Sequence, residues 1–431
     1  MIDVVTHDPE NPPPKLRAIL SRTTDFEPDL LASAQEVVRA VRERGDDAVL
    51  EYTREFDGVD LSADGMRVPE TDIQAAYREA DPDLIRTMRA AADNIRRFHG
   101  AQKQTSWFIE DGDGVVLGRR VLPIEQVGIL IPGASAPLFS TLLMAAIPAD
   151  IAGVTRVCMA TPPRPDGSVH PAVLAAAHIV GVDEIYLVFG AQAVAALAYG
   201  TGSIPRVDKL VGPGHPSVQI AKKLVFGTVD IDMVAGPSEI VVLADESANP
   251  RHVAADLLSQ AEHGSGFEAV VCITPSIDLA RQVADEVERQ AARLERRDAV
   301  RKALRNFGAV VVVEDVDEGI GLANRIAPEH IELLVRDPWS RLDEVRNAGA
   351  VFLGPASTEP VGDYYAGVNH ILPTAGAARF ASPVGVETFL KSSSIVSYTD
   401  RRLKKTAGDI IALAEAEGLD AHANAIRVRQ E

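Results

Sequence analysis

Two successive runs of short, wholly apolar segments, each segment followed by a helical stretch, limit what this 431-residue chain can fold into. The first run is VGILIP (127–132), RVCMATP (156–162), EIYLVFG (184–190) and KLVGPG (209–214). The second is EIVVLAD (239–245), AVVCITP (269–275), AVVVVED (309–315), IELLV (331–335) and GAVFLG (349–354). Strands that are apolar throughout, rather than alternating, belong in a parallel sheet covered on both faces. The segments between them, such as HPAVLAAAHIVG (170–181) and AQAVAALAYG (191–200), have the spacing and composition of buried helices. Each run therefore predicts one doubly wound α/β sheet, and the length accommodates two such units. Ahead of the first run, 30–58 and 71–99 read as amphipathic helices. The last fifty residues read as a helical, polar appendage.

Charge and cysteine usage exclude several classes. With 43 Lys and Arg against 62 Asp and Glu the net charge is −19, the wrong sign for neutralising nucleic-acid phosphates. The one dense basic cluster, Arg401, Arg402, Lys404 and Lys405, reads as a solvated helix start. No run approaches the roughly 18 apolar residues of a membrane span. The opening MIDVVTHDPENPPPK lacks the basic and apolar regions of a secretory signal, so a cytoplasmic location is expected. Cys158 and Cys272 both lie in apolar strand segments, where a reduced, buried thiol is the ordinary state.

Four segments carry residues able to do chemistry. In ADLLSQAEHG (255–264) a helix closes at Gly264, and Gln260 and His263, three apart, share a face and could grip one ion, with Glu262 pointing elsewhere. In NRIAPEHIELLV (324–335), Glu329 and His330 stand where a helix gives way to a buried strand. Such a pair suits coupled proton transfers, because imidazole titrates near neutrality and a carboxylate can activate water. The long loop GPASTEPVGDYYAGVNHILPT (354–374) offers Asp363 and His370, of which His370, beside an apolar run, reads as structural. Finally, EAEGLDAHANAIRVR (415–429) holds Glu417 and His422 near a glycine turn. The Gly-x-Gly-x-x-Gly fingerprint is absent. IPGASAP (131–137), FGAQAVAA (189–196) and VGPGHPS (211–217) each place glycine at a strand-to-helix turn, where backbone amides can meet phosphate. Residue chemistry alone thus points to a nucleotide-linked α/β enzyme with several candidate ligands.

The chain also resembles the histidinol dehydrogenase family. The likeness is carried by EFDG (55–58), the IPG-SAPLFST run (131–141), FGAQAVAALAYGT (189–201), DMVAGPSEIVVLAD (232–245), DLLSQAEHG (256–264), APEHIEL (327–333), GAVFLGP with VGDYYAGVNHILPT (349–374), and EGLDAHANA (417–425). The resemblance implies one zinc ion held by Gln260, His263, Asp363 and His422. It implies His330 as acceptor of the substrate hydroxyl proton, and Glu329 as the group that activates water. Ser238 and Glu417 match substrate-contacting positions, with the zinc ligands and His330. Of the NAD-contacting positions, Gln192 is kept, Leu130 stands where tyrosine is usual, and His215 replaces asparagine. Losing that ring would forfeit stacking worth about 1 kcal/mol. The implied reaction is oxidation of L-histidinol to L-histidine through the aldehyde by two NAD. A related dehydrogenase of another small polar alcohol, such as a sulfopropanediol, is the alternative.

The implied fold is two Rossmann-like doubly wound domains, one inserted in the other. Residues 25–127 and 238–383 form the first and 128–237 the inserted, NAD-binding one. An N-terminal arm (1–24) and a C-terminal helical arm (384–431) flank them. The resemblance further implies a homodimer in which the C-terminal arm brings Glu417 and His422 to the neighbour's site.

Overall fold

The computed structural model describes residues 2–23, 25–133 and 137–430. Both runs of apolar segments form parallel sheets. The first run supplies β4 (Gln126–Leu130), β5 (Arg156–Thr161), β6 (Glu184–Leu187) and β7 (Lys209–Val211), joined by the short β8 (Asp230–Ile231) in the order β6-β5-β4-β7-β8. The second supplies β9 (Glu239–Ala244), β10 (Ala269–Thr274), β11 (Gly308–Val312), β12 (His330–Leu334) and β13 (Ala350–Leu353). With β1 (Asp3–Thr6) at the edge, its order is β1-β11-β10-β9-β12-β13. Setting β1 aside, both sheets run third, second, first, fourth, fifth strand, the doubly wound order whose direction reverses beside the first strand. The N-terminal segment is therefore more than an arm, because Val4 pairs in register with Val310 and extends the six-stranded sheet.

Side chains alternate between the faces of each sheet, as a period of two requires. In β9, Ile240 and Val242 pack with α10 (Pro250–Ala261), α11 (Ile277–Ala291) and α12 (Arg297–Phe307), while Val241 and Leu243 pack with α1 (Pro14–Leu20) and α13 (Val316–Ile326). In β4, Val127 and Ile129 face α4 (Glu70–Glu79), α5 (Pro82–Gly100), α6 (Phe139–Ala152) and α7 (Pro171–Val180). Leu130 joins the other layer, with α2 (Pro28–Arg44), α3 (Asp46–Asp57), α8 (Ala191–Tyr199) and α9 (Pro216–Val225). The helices expected at 30–58 and 71–99 are present, the former broken at Gly45. Their partner differs from expectation: Val37, Val41 and Val49 pack against Ala193 and Leu197, so 28–100 cover the five-stranded sheet rather than the six-stranded one.

A second difference concerns the last fifty residues. β14 (Leu390–Ser397) is mostly exposed and pairs antiparallel with β3 (Val115–Pro123), which also pairs β2 (Trp107–Asp111). Its residues LKSSSIVS show little of the apolar alternation that marks a strand, because backbone pairing rather than burial holds it. After it come α15 (Asp400–Ala416) and α16 (Asp420–Arg427), as the helical reading predicts. Cys158 and Cys272 are free, and burial pushes both thiols up to about 12, which keeps them protonated. No described helix is long and apolar enough to cross a membrane.

Candidate active site

The helix α13 stops at Ala327, which adopts φ +53°, and the chain turns through Pro328 into β12. Glu329 and His330 thus arrive at the amino end of β12 against β9, where the strand order reverses. The backbone of one residue orients both. The backbone N–H of Glu239 donates to Glu329 Oε2 at 2.9 Å, and the Glu239 carbonyl accepts from His330 Nδ1 at 3.0 Å. That bond places the proton of the neutral ring on Nδ1 and leaves the buried Nε2 without a partner. Ser238 sits half-buried one residue before Glu239.

Asp363 comes from the turn Gly362–Ala366, whose conformation is tied back by its neighbours. Its carbonyl accepts from His370 Nδ1 at 2.9 Å, and His370 Nε2 meets Thr141 Oγ1 at 3.2 Å. His370 is therefore structural, as its sequence context predicts. The Asp363 carboxylate lies 3.7 Å from His330 Nε2, an electrostatic contact longer than a hydrogen bond. Burial opposes charge on His330, yet the carboxylates of Glu329, Asp363 and Glu359 outweigh it and push its pKa up to about 10. Burial pushes Glu329 up to about 7, against the pull of His330. Asp363 is held well below the usual carboxylate range: burial works against this, and the attraction of nearby His330 and His370, with the neighbouring Glu359 carboxyl, prevails.

Two buried carboxyl groups join the site that no motif announced. Glu359, in the single turn α14 (Glu359–Val361), accepts from Ser259 Oγ at 2.9 Å, and burial beside Asp363 pushes it up to about 8. Glu332 of β12 accepts the Glu359 backbone N–H at 2.8 Å, and burial beside Asp256 pushes it up to about 9. Candidate metal donors from His330, Glu359 and Asp363 all lie within 4.8 Å of one another, and only Asp363 of these belongs to the set implied by resemblance. The overlooked signal was Glu332 itself, an acidic residue inside an otherwise apolar, fully buried strand.

The Ser259 contact also brings the end of α10 to the turn that carries Asp363. Gln260, next in sequence, is fully buried, and neither its Oε1 nor its Nε2 has a partner. His263 follows in the closing turn, its N–H bonded to the Gln260 carbonyl. Crowding by protein lowers its pKa, opposed by the charges of Asp363 and Glu268. Glu262 is exposed, as expected. Gln260, His263, Asp363, Glu329, His330 and Ser238 therefore belong to one region. Glu417 and His422 do not join them in the single chain; both are exposed on the α15–α16 arm.

Gln192 and His215 meet elsewhere, in a cavity of about 320 Å³ at the carboxyl ends of β6 and β7. His215 caps α9 through its ring, and burial lowers its pKa. The Leu130 side chain has no exposed surface and packs in the core. Just above it, Gly212 runs so close that an added Cβ would lie 2.3 Å from the Leu130 carbonyl, at φ +120°. The glycine turn at 131–137 falls partly on Ala134–Ala136, outside the described residues.

A buried imidazole with a free ring nitrogen beside a buried carboxyl group on one doubly wound sheet, with a helix-lined pocket at the carboxyl ends of another, suits a dehydrogenase. The chain belongs to the histidinol dehydrogenase family, whose sequence profile matches residues 20–430. It is 51% identical over 412 residues to a histidinol dehydrogenase of Heliobacterium mobile, covering 96% of each chain. It is 51% identical over 400 residues to one from a Synechococcus strain, covering 93% of this chain and 92% of that one. The crystal structure of histidinol dehydrogenase from Elizabethkingia anophelis superposes with a TM-score of 0.92 at 38% identity, over 100% of this chain and 98% of the other.

Proposed function

We propose that this NAD-dependent oxidoreductase converts L-histidinol to L-histidine through L-histidinal, using two NAD and one zinc ion per subunit. The observation that carries the mechanism is the unpartnered Nε2 of buried His330 beside the water-activating candidate Glu329. The first step uses the neutral form of the His330 ring, whose share grows as pH rises towards about 10: its Nε2 accepts the hydroxyl proton of the alcohol while a hydride leaves the carbon for NAD, producing the aldehyde. Glu329, raised towards neutrality by burial, then takes a proton from water as the oxygen adds to the aldehyde carbon. Loss of a second hydride from that hydrate to a second NAD gives the carboxylic acid, whose proton passes to solvent as the carboxylate forms. The Glu239 backbone holds base and carboxylate in place for both steps.

Gln260, His263 and Asp363 fit a zinc ion. A wholly buried amide whose oxygen and nitrogen both lack partners calls for an external one, and a carboxylate and an imidazole stand nearby. When bound, zinc supplies a positive centre for the amine and imidazole nitrogens of the amino alcohol. The decisive measurement is metal content together with alcohol-dependent NADH formation by the purified protein. About one zinc per chain, turnover of histidinol, loss on chelation and return on adding zinc are expected. Inertness to histidinol with turnover of a sulfopropanediol would overturn the substrate assignment.

The homodimer follows from the same reading. Glu417 and His422 have no site of their own, and the arm leaves Leu413 70% and Leu419 41% exposed. The edge strand β13 in turn borders an apolar cleft of about 600 Å³ lined by Phe98, Trp339, Val361 and Val384. Large exposed apolar surfaces of this kind mark association. Mixing inactive Asp363→Ala and His422→Ala proteins, with subunit exchange, is expected to restore up to roughly a quarter of wild-type activity, because a heterodimer holds one intact site. No recovery in demonstrated heterodimers would place His422 in its own chain's site.

A further inference from the structure

The cavity holding Gln192 and His215 contains a carboxylate that nothing so far explains. Asp57 is the last residue of α3 and lines this cavity, half-buried, with Oδ2 shielded from solvent and without a hydrogen-bond partner. A negative charge in the last turn of a helix opposes the helix dipole, so Asp57 does not serve α3. It has no ion pair among the described residues; the nearby Arg54 is taken by Asp60. Burial alone acts on its pKa, raising it to about 6, and it remains mostly ionised at neutral pH. An unpaired carboxylate turned into a cavity costs stability and is kept where a ligand uses it.

The rest of the cavity says which ligand. The helix α8 begins at it with no side-chain cap, so its first-turn backbone N–H groups are left to seat a phosphate, whereas α9 begins on Pro216 and its Ser217 N–H is taken by the His215 ring. Gly190 precedes α8 with φ +89°, and an added Cβ there would lie 2.6 Å from Gln192 Oε1, so the main chain must stay bare. Gln192 is 1% exposed, and its Oε1 has no partner. Phe56 and Phe189 line it, where Leu130 does not. No lysine or arginine lines the cavity.

We propose that Asp57 binds the hydroxyl pair of a ribose in the dinucleotide and excludes a ribose bearing a phosphate, which makes it the residue that selects NAD over NADP. This rests on the reading of the cavity as the cofactor site. A vicinal diol offers two O–H donors to a carboxylate, whereas a phosphate brings two negative charges against Asp57 with no cation to meet them.

The test is calorimetric titration of NAD and of NADP into the wild-type protein, Asp57→Asn and Gln192→Ala, with thermal unfolding to establish that each is folded. Wild type is expected to prefer NAD strongly. Asp57→Asn should weaken NAD about tenfold or more and bind NADP no more weakly than wild type, so that the preference collapses. If Gln192→Ala weakens NAD while Asp57→Asn leaves the NAD-to-NADP ratio unchanged, the cavity reading stands and the assignment of Asp57 is overturned. If neither substitution alters binding of either dinucleotide, both readings fall.

Discussion

Replacing His330 with asparagine is expected to lower kcat for histidinol oxidation by about 10²–10⁴-fold, the range a lost general base costs, with a much smaller change in KM. Asparagine can still donate to the Glu239 carbonyl that holds the His330 ring at 3.0 Å, so the fold around β9 and β12 should survive. What disappears is the lone pair of Nε2, the one ring atom with no protein partner. The loss should fall on the first oxidation. With histidinal supplied directly, His330→Asn should retain more activity than Glu329→Gln, and with histidinol the order should reverse. Glutamine at 329 can keep the hydrogen bond from the Glu239 N–H while being unable to take a proton from water. A His330→Asn enzyme turning over histidinol at the wild-type rate would refute the proton-acceptor role.

The second large effect concerns stability. Lys222 and Asp232 form an ion pair with side chains 0% and 1% exposed. Lys222 also donates to the Gly212 carbonyl at 3.0 Å, and Asp232 accepts the Gly212 N–H at 2.7 Å. The pair therefore clasps both sides of the glycine that crosses over Leu130, three residues before the cavity-lining His215. Lys222→Ala leaves a carboxylate buried without its cation and should cost about 3–5 kcal/mol. Lys222→Met should cost a similar amount despite its better volume, because charge rather than space is the problem. Adding Asp232→Asn to Lys222→Met should recover part of the loss, since the amide oxygen can still accept backbone N–H groups. Thermal unfolding of the three variants checks this. A Lys222→Ala protein with an unchanged Tm would show that the pair contributes nothing. The same variant should also weaken NAD binding, as the turn it clasps relaxes.

How far the site was legible depended on whether a residue's role was local. Gln260 and His263 announced themselves by three-residue spacing at a helix end, and the Gln260 carbonyl does accept the His263 N–H. Glu329 and His330 stood out as neighbours before a strand. Glu359 and Asp256 sit in polar surroundings that carry no pattern, and only the packing of α10 on the 359–363 turn joins them to Glu332 and Asp363. Leu130 is a related case. A sequence position can correspond to a contact position while its side chain, having lost the polar end of tyrosine, belongs wholly to the core.

The sequence by itself determined the two doubly wound sheets, nine of their eleven strands and the family, because apolar runs and contiguous motifs are properties of neighbouring residues. Only the tertiary structure decided that 28–100 cover the five-stranded sheet, that β1 extends the six-stranded one, and that β14 pairs with β3. The physical reason is that an amphipathic helix encodes that it has a partner without encoding which. The exposed β14 is held by backbone hydrogen bonds, which leave little trace in side-chain pattern. The buried carboxyl cluster is likewise a product of tertiary contact. Its members lie up to 107 residues apart, from Asp256 to Asp363, and acquire their shared negative field only when folding removes the water between them.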